Sequence, residues 1–236
     1  MTVLRIALVA GLLVVVGACS SSEPETSFAF DEGPEGWVSG FADYPADADP
    51  DIFELDASWR ALPENLDGSA LYSQGHNRSD DLWMYWKRAI EDLDANTEYT
   101  VAVTLEVATN VPGGLVGIGG SPGESVFVKV GASTDEPDIV QDDQGWWRMT
   151  VDKGNQGSGG DDAVVVGTIA NPNLDPETAD GLTYELMTLD STGLDLTATT
   201  DGSGKLWVFV GTDSGFEGLT ALYFSTVDMT LDPVGG

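Results

Sequence analysis

The chain has 236 residues, with 40 acidic against 9 basic side chains and a formal net charge of −31. Such a surface repels phosphate backbones, which excludes nucleic acid as a partner, and it repels anionic headgroups unless cations bridge them. One cysteine forbids an intrachain disulfide, and one histidine forbids a multi-histidine zinc centre.

Residues 1–18 read as an export signal. A single cation, Arg5, precedes an apolar run over 6–16, too short for a bilayer that needs about 20 apolar residues. The run ends in Val16-Gly17-Ala18-Cys19, which resembles the lipobox of bacterial lipoproteins. That resemblance implies cleavage before Cys19 and acylation of its thiol and its new amine. Two or more acyl chains suit stable attachment, because one gives only marginal binding. The expected address is the bacterial cell envelope, lipid-anchored through Cys19 and facing outside the cytoplasm. Residues 19–27 comprise the lipidated cysteine and a short tether, and residues 28–236 are expected to form one domain. Removing the signal takes away Arg5 and no acid, leaving 8 basic and 40 acidic residues.

In chain order, residues 27–37 offer a short first strand and a Gly-Pro turn. Residues 40–51, GFADYPADADPD, carry so many acids and prolines that a loop outside any sheet is predicted. Residues 52–59 alternate imperfectly, 63–69 read as loop, and 70–74 begin a strand. The polar loop Gly75-His76-Asn77-Arg78-Ser79-Asp80-Asp81 follows. Leu82-Trp83-Met84-Tyr85-Trp86 is apolar on both faces, as in a strand covered on both sides. A helical turn is expected over 89–93 and a tight turn over 94–97.

Residues 99–107 then alternate without a break. Tyr99, Val101, Val103, Leu105 and Val107 share one face, which a helix would not permit. Further strands are predicted at 115–118, 125–130, 146–152, 164–170, 182–189, 194–199, 205–211 and 219–231. Asp201-Gly202-Ser203-Gly204 reads as the turn of a hairpin. Short strands, Gly- and Pro-rich connections and no long 3.6-period segment predict an all-β chain, a single β-sandwich of jelly-roll type.

His76 is the only histidine and no nucleophile is singled out to pair with it, so no catalytic residue is assigned. Forty acids offer many carboxylate pairs for glycoside cleavage, and no spacing selects one. No Gly-Lys-Ser/Thr phosphate loop is present. The glycine-rich loops 119–124, 153–157 and 211–218 mix glycine with acids and amides. If they met the 75–81 loop, they would assemble a ligand site from His76, Asn77, Arg78, Asp80, Asp81, Lys153, Asn155, Gln156, Asp213 and Glu217. Bases are so scarce that Arg78 and Lys153 are each expected to pair with a carboxylate or a ligand oxygen. Trp83 and Tyr85 are expected to offer ring faces to a sugar, with Trp146, Trp147, Trp37 and Tyr44 as further aromatics. Most tryptophans nevertheless belong to cores. Calcium is the ion whose hard oxygen ligands are abundant, without any EF-hand spacing.

Three segments resemble carbohydrate-binding-module and galactose-binding-like jelly rolls. They are Leu93-Asp94-Ala95-Asn96-Thr97-Glu98-Tyr99 with its alternating strand, Gly145-Trp146-Trp147-Arg148-Met149-Thr150-Val151, and the closing Ala221-Leu222-Tyr223-Phe224-Ser225-Thr226-Val227-Asp228. The resemblance implies a structural calcium between the first strand and an acid on the last, with Asp31, Glu35 and Asp228 as its ligands here. The segments at 119–124 and 211–218 look more like a group of uncharacterised bacterial lipoproteins. The expected function is binding of carbohydrate or another small polyhydroxyl ligand, with calcium assisting. Two alternatives stay open: a glycan-active lyase or hydrolase using a carboxylate pair or His76 and Arg78, and a structural or adhesion protein of the envelope. The oligomeric state is left open.

Overall fold

A computed structural model describes residues 26–235; the signal segment, Cys19 and the tether up to Glu25 lie outside the described residues. The strands are β1 (Ser27–Phe28), β2 (Val38–Ala42), β3 (Tyr44–Pro45), β4 (Asp56–Ala61), β5 (Ser69–His76), β6 (Trp83–Ile90), β7 (Glu98–Thr109) and β8 (Val126–Ser133). They continue with β9 (Ile139–Gln141), β10 (Trp146–Met149), β11 (Ala163–Thr168), β12 (Glu185–Asp190), β13 (Thr197–Thr199), β14 (Leu206–Ser214) and β15 (Leu219–Pro233). One sheet runs β12-β7-β15-β5-β4, with β1 on β15 and β13 on β7; the other runs β11-β8-β14-β6-β2. The two face each other across a shared core, an all-β sandwich. Every pairing within its sheets is antiparallel.

The alternation in β7 does what period two requires. Tyr99, Val101, Val103, Leu105 and Val107 all enter the core between the sheets. Its neighbour β15 needs one adjustment. A register shift between Phe224 and Thr226 lets Leu222 and Phe224 before it, and Val227 and Met229 after it, all reach the same core. A bulge restores the buried face where strict alternation would have lost it.

The outer face of the five-stranded sheet is also buried. A third sheet, β3-β10-β9, lies over it, and Ile139, Met149 and Val151 pack on Ala42, Trp83, Tyr85, Ala163 and Phe209. This explains why β6 is apolar on both sides: Met84 and Trp86 face the sandwich core, Trp83 and Tyr85 face the small sheet. Two glycines make room for large rings. A Cβ on Gly131 would stand 2.0 Å from Phe209 Cζ, and one on Gly40 would stand 2.3 Å from Tyr85 Cζ.

Several expectations are corrected. Residues 40–51 are not wholly loop, since β2 ends at Ala42 and β3 at Pro45; the proline is tolerated because β3 is a short edge strand. Residues 115–118 form no strand: glycines flank them, and Val116 and Ile118 are 97% and 72% exposed. The helical turn at 89–93 is absent because β6 stays paired with β14 as far as Ile90↔Leu206. The 201–204 turn is tight, with Gly204 N donating to Asp201 O at 3.1 Å, yet it is no hairpin. Its flanking strands pair elsewhere, β13 with β7 and β14 with β6 and β8, so it crosses between the sheets.

Candidate functional site: a charged pocket under the small sheet

Near one end of the sandwich, the loops at 75–81, 119–124, 153–157 and 211–218 lie side by side. Asn77 N donates to Gly218 O at 3.1 Å, Glu217 N to Ile118 O at 2.9 Å, and Gly215 N to Ser125 O at 2.9 Å. Gln156 ties two of the loops: its N donates to Asp213 Oδ2 at 2.9 Å and its Nε2 to Asp80 O at 3.1 Å.

At the centre lies a buried charge cluster. Strand register places it, because Lys129 on β8 and Asp213 on β14 both point to the outer face of their sheet. Lys129 Nζ is 2.7 Å from Asp213 Oδ2, with neither side chain exposed. Lys153 Nζ approaches from the loop at 2.8 Å from Asp213 Oδ2 and 2.7 Å from Asp43 Oδ2. It also stands 5.1 Å from the centroid of the Trp83 ring, a favourable place for a cation. Arg148 on β10 closes the outside, 2.7 Å from Asp43 Oδ1 and 3.2 Å from Asp142 Oδ2. The small sheet is thus tied to the sandwich by ion pairs as well as by apolar packing.

Asp81 completes the cluster and differs from its neighbours. Burial, with the Asp213 charge beside it, pushes its carboxyl up to about 8, so it is protonated at neutral pH. Asp213 goes the other way: burial opposes ionisation, but Lys153, a hydrogen bond from Asp81 and Lys129 together hold it below the usual carboxylate range. Burial lowers Lys129, against the pull of Asp213. Lys153 is raised, since Asp213 and Asp43 outweigh its own desolvation. Three non-glycine residues around the pocket adopt positive φ, Asp43 (65°), Asp80 (75°) and Gln156 (45°). Aspartate tolerates this region better than glutamine, and strain of this kind gathers at functional sites.

Two connected cavities open above the cluster. One, of about 370 Å³, is lined by Asp43, Asp81, Arg148, Lys153 and Asn155 among others. The second, of about 500 Å³, is lined by Ser79, Asp80, Asp81, Gln144, Trp146, Arg148, Asn155 and Gln156. Asp81, Arg148 and Asn155 belong to both. The wall is rich in side chains that give and take hydrogen bonds, with one half-buried tryptophan beside them.

Of the residues expected from sequence, Asp80, Asp81, Lys153, Asn155, Gln156 and Asp213 meet here. Asn77 is buried and structural: its Nδ2 donates to Ser214 O at 2.7 Å, and its Oδ1 accepts from Ser79 N at 3.1 Å. His76 and Arg78 turn away, His76 Nδ1 to Glu54 Oε1 at 2.9 Å and Arg78 Nε to Ile52 O at 3.1 Å. Glu217 is exposed and lies beside Gly119, lining neither cavity. Trp83 and Tyr85 offer no ring face to a ligand, being 0% and 3% exposed under the small sheet. The proposed calcium ligands do not gather. Glu35 Oε1 accepts from Phe30 N at 3.1 Å, Asp228 accepts from the Ser27 hydroxyl, and the one group of acids able to share an ion among the described residues is Asp43, Asp81 and Asp213. Asp43, Lys129 and Arg148 were not among the expected ligand residues. Lys129 had one sequence signal: it is a lone cation inside an otherwise apolar strand, in a chain with few bases.

No protein-family model matches the chain, and no curated protein matches it. Among solved structures it is similar to one described as carbohydrate-binding modules of the β-sandwich superfamily, with 9% identity, a TM-score of 0.39 and 87% of this chain covered. It spans 61% of that chain's length. It is similar to a module described by its specific mannan recognition, at 13% identity and TM-score 0.36 over 89% of this chain and 97% of that one. It is also similar to the K3 cleaved adhesin domain of Lys-gingipain from Porphyromonas gingivalis, at 14% identity and TM-score 0.39 over 88% and 99%. Likenesses this distant say nothing about a ligand.

Proposed function

We propose that the chain is a lipid-anchored extracytoplasmic protein that binds a small polyhydroxyl ligand, carbohydrate in the first instance, in the double cavity beneath the small sheet. The observation that carries this reading is the shared wall of Asp81, Arg148 and Asn155, flanked by Trp146, Gln144 and Gln156. A neutral carboxyl, a guanidinium and amides supply both donors and acceptors for hydroxyl groups, and the indole supplies an apolar face beside them. The ligand would sit in a pocket at the sheet end, rather than across an aromatic platform on a sheet face. Glycan-array screening followed by calorimetry tests the reading, with Trp146→Ala expected to weaken binding at least tenfold. Absence of any sugar binding by the folded protein overturns it. The anchor is tested separately, by mass spectrometry of Cys19 in membrane fractions and its loss in Cys19→Ser.

A second reading, a glycan-active enzyme, is favoured by Asp81, a carboxyl that holds its proton at neutral pH and lines both cavities. Such a group suits a general acid. Product release from a bound oligosaccharide, abolished in Asp81→Asn, would support it; binding without turnover would discard it.

A further inference from the structure

We propose that Lys129 and Asp213 close an amide bond between their side chains, a self-catalysed cross-link joining β8 to β14. Lys129 Nζ lies 2.7 Å from Asp213 Oδ2 with neither side chain exposed. A nitrogen so placed stands about 3.5 Å from the carboxyl carbon, at the edge of near-attack range. The Lys153 and Ser158 carbonyl oxygens, at 2.9 and 3.0 Å, fix the amine in that position.

The two oxygens of Asp213 are treated differently by their neighbours. Oδ2 also accepts from Lys153 Nζ at 2.8 Å and from Gln156 N at 2.9 Å, a cation and an amide arranged as an oxyanion hole is. Oδ1 is closed to solvent and takes none of these donors, which leaves it for the proton that Asp81 donates to Asp213. One oxygen is thus placed to carry negative charge and the other to leave as water. The two lysines differ as well. Lys153 sits between Asp213 and Asp43 and stays an ammonium. Lys129 has a single carboxylate, and burial pulls it towards the free amine. Both reacting groups are desolvated, so a neutral amide relieves the cost of keeping two ions inside the protein.

The reaction balances without a co-reactant. Asp81 stands close enough for its charge to bear on Lys129; it gives its proton to Asp213 Oδ1 and takes one from Nζ. The Nζ lone pair attacks Cγ, and Oδ2 takes up the displaced electron pair beside Lys153 and Gln156. Asp81 protonates Oδ1 again as the Cγ–Oδ1 bond breaks, and it accepts the second proton from Nζ. Oδ2 returns to a carbonyl, one water leaves through the cavity that Asp81 lines, and Asp81 ends protonated as it began. The remaining N–H keeps one of its two carbonyl partners. The bond would span 84 positions of sequence, in a chain whose one cysteine forbids an intrachain disulfide. It does not depend on what the cavity above it binds.

Intact-mass spectrometry of the mature chain carrying Cys19→Ser, to which no lipid is attached, reads the bond directly. The expected mass is one water below that of the sequence. Tandem fragmentation of a protease digest should show the Lys129 peptide branched onto the Asp213 peptide. Lys129→Arg keeps the cation and Asp81→Asn keeps the shape of the protonated carboxyl, yet each should restore the full mass. A native chain of full mass, even after prolonged incubation in the folded state, overturns the proposal and leaves an ion pair. A missing water that persists in Lys129→Arg overturns it too, and assigns the loss to a succinimide at an Asp-Gly step, 67–68, 180–181 or 201–202. A branch mapped to Lys153 overturns the choice of nucleophile, and a bond retained in Asp81→Asn overturns the proton relay.

Discussion

Lys129 Nζ and Asp213 Oδ2 are 2.7 Å apart with both side chains wholly inside the protein. Burying either alone would cost several kcal/mol, and the pair persists because each desolvates against the other. Replacing Lys129 with Met should therefore destabilise the protein by about 3 kcal/mol, since Lys153 only partly compensates Asp213. Lys129→Met combined with Asp213→Leu should cost clearly less than the sum of the single changes. Urea unfolding of the four proteins in a double-mutant cycle measures the coupling. Additive losses would mean that the pair is not energetically linked.

Asp81 should make stability fall as pH rises. Its folded carboxyl keeps a proton up to about pH 8, whereas unfolded aspartate loses it near 3.8. Between those limits the folded state holds the extra proton, so its stabilising contribution is complete below the lower value and lost as pH passes the upper one. One proton corresponds to at most about 1.4 kcal/mol per pH unit. Asp213, held below the usual range, loses its contribution only in acid and adds no slope from pH 5 to 8. Asp81→Asn should gain stability relative to native protein across that interval by urea midpoint. Parallel pH profiles would show that Asp81 titrates normally.

The glycines beneath the small sheet should resist change. In Gly131→Ala the new methyl would meet the Phe209 ring at 2.0 Å and the Asp162 carbonyl oxygen at 2.6 Å. Overpacking of this kind costs about 1–3 kcal/mol, at the upper end here because one neighbour is backbone. Gly202→Ala, which meets nothing within 4 Å, is the control and should melt close to the native temperature. Differential scanning calorimetry compares them.

Asn77 and its neighbour His76 should separate structure from binding. Asn77→Ala leaves the Ser214 carbonyl and the Ser79 amide without partners, costing about 1–3 kcal/mol and loosening the loop that carries Asp80 and Asp81. His76→Ala removes a contact to Glu54 and should leave ligand affinity unchanged. Calorimetric titration with whichever glycan the array identifies checks both, and a large loss of affinity in His76→Ala would relocate the site.

The sequence by itself determined the architecture, because alternation at period two writes a strand's buried face directly into consecutive residues. Tyr99 to Val107 needed nothing else, and the apolar run at Leu82–Trp86 correctly announced a strand covered on both sides. What covers it was decided only by the tertiary structure. Trp83 and Tyr85 look equally suited to a ligand or a core until β3, β10 and β9 are seen lying over them. The partners of Asp213 were likewise undetermined: Asp43, Asp81, Lys129 and Lys153 come from four separate segments, and strand register with loop crossing brings them together. No local period records a contact between residues so far apart in the chain. The 201–204 turn shows the same division, its tightness encoded locally while the two sheets it joins were chosen by packing.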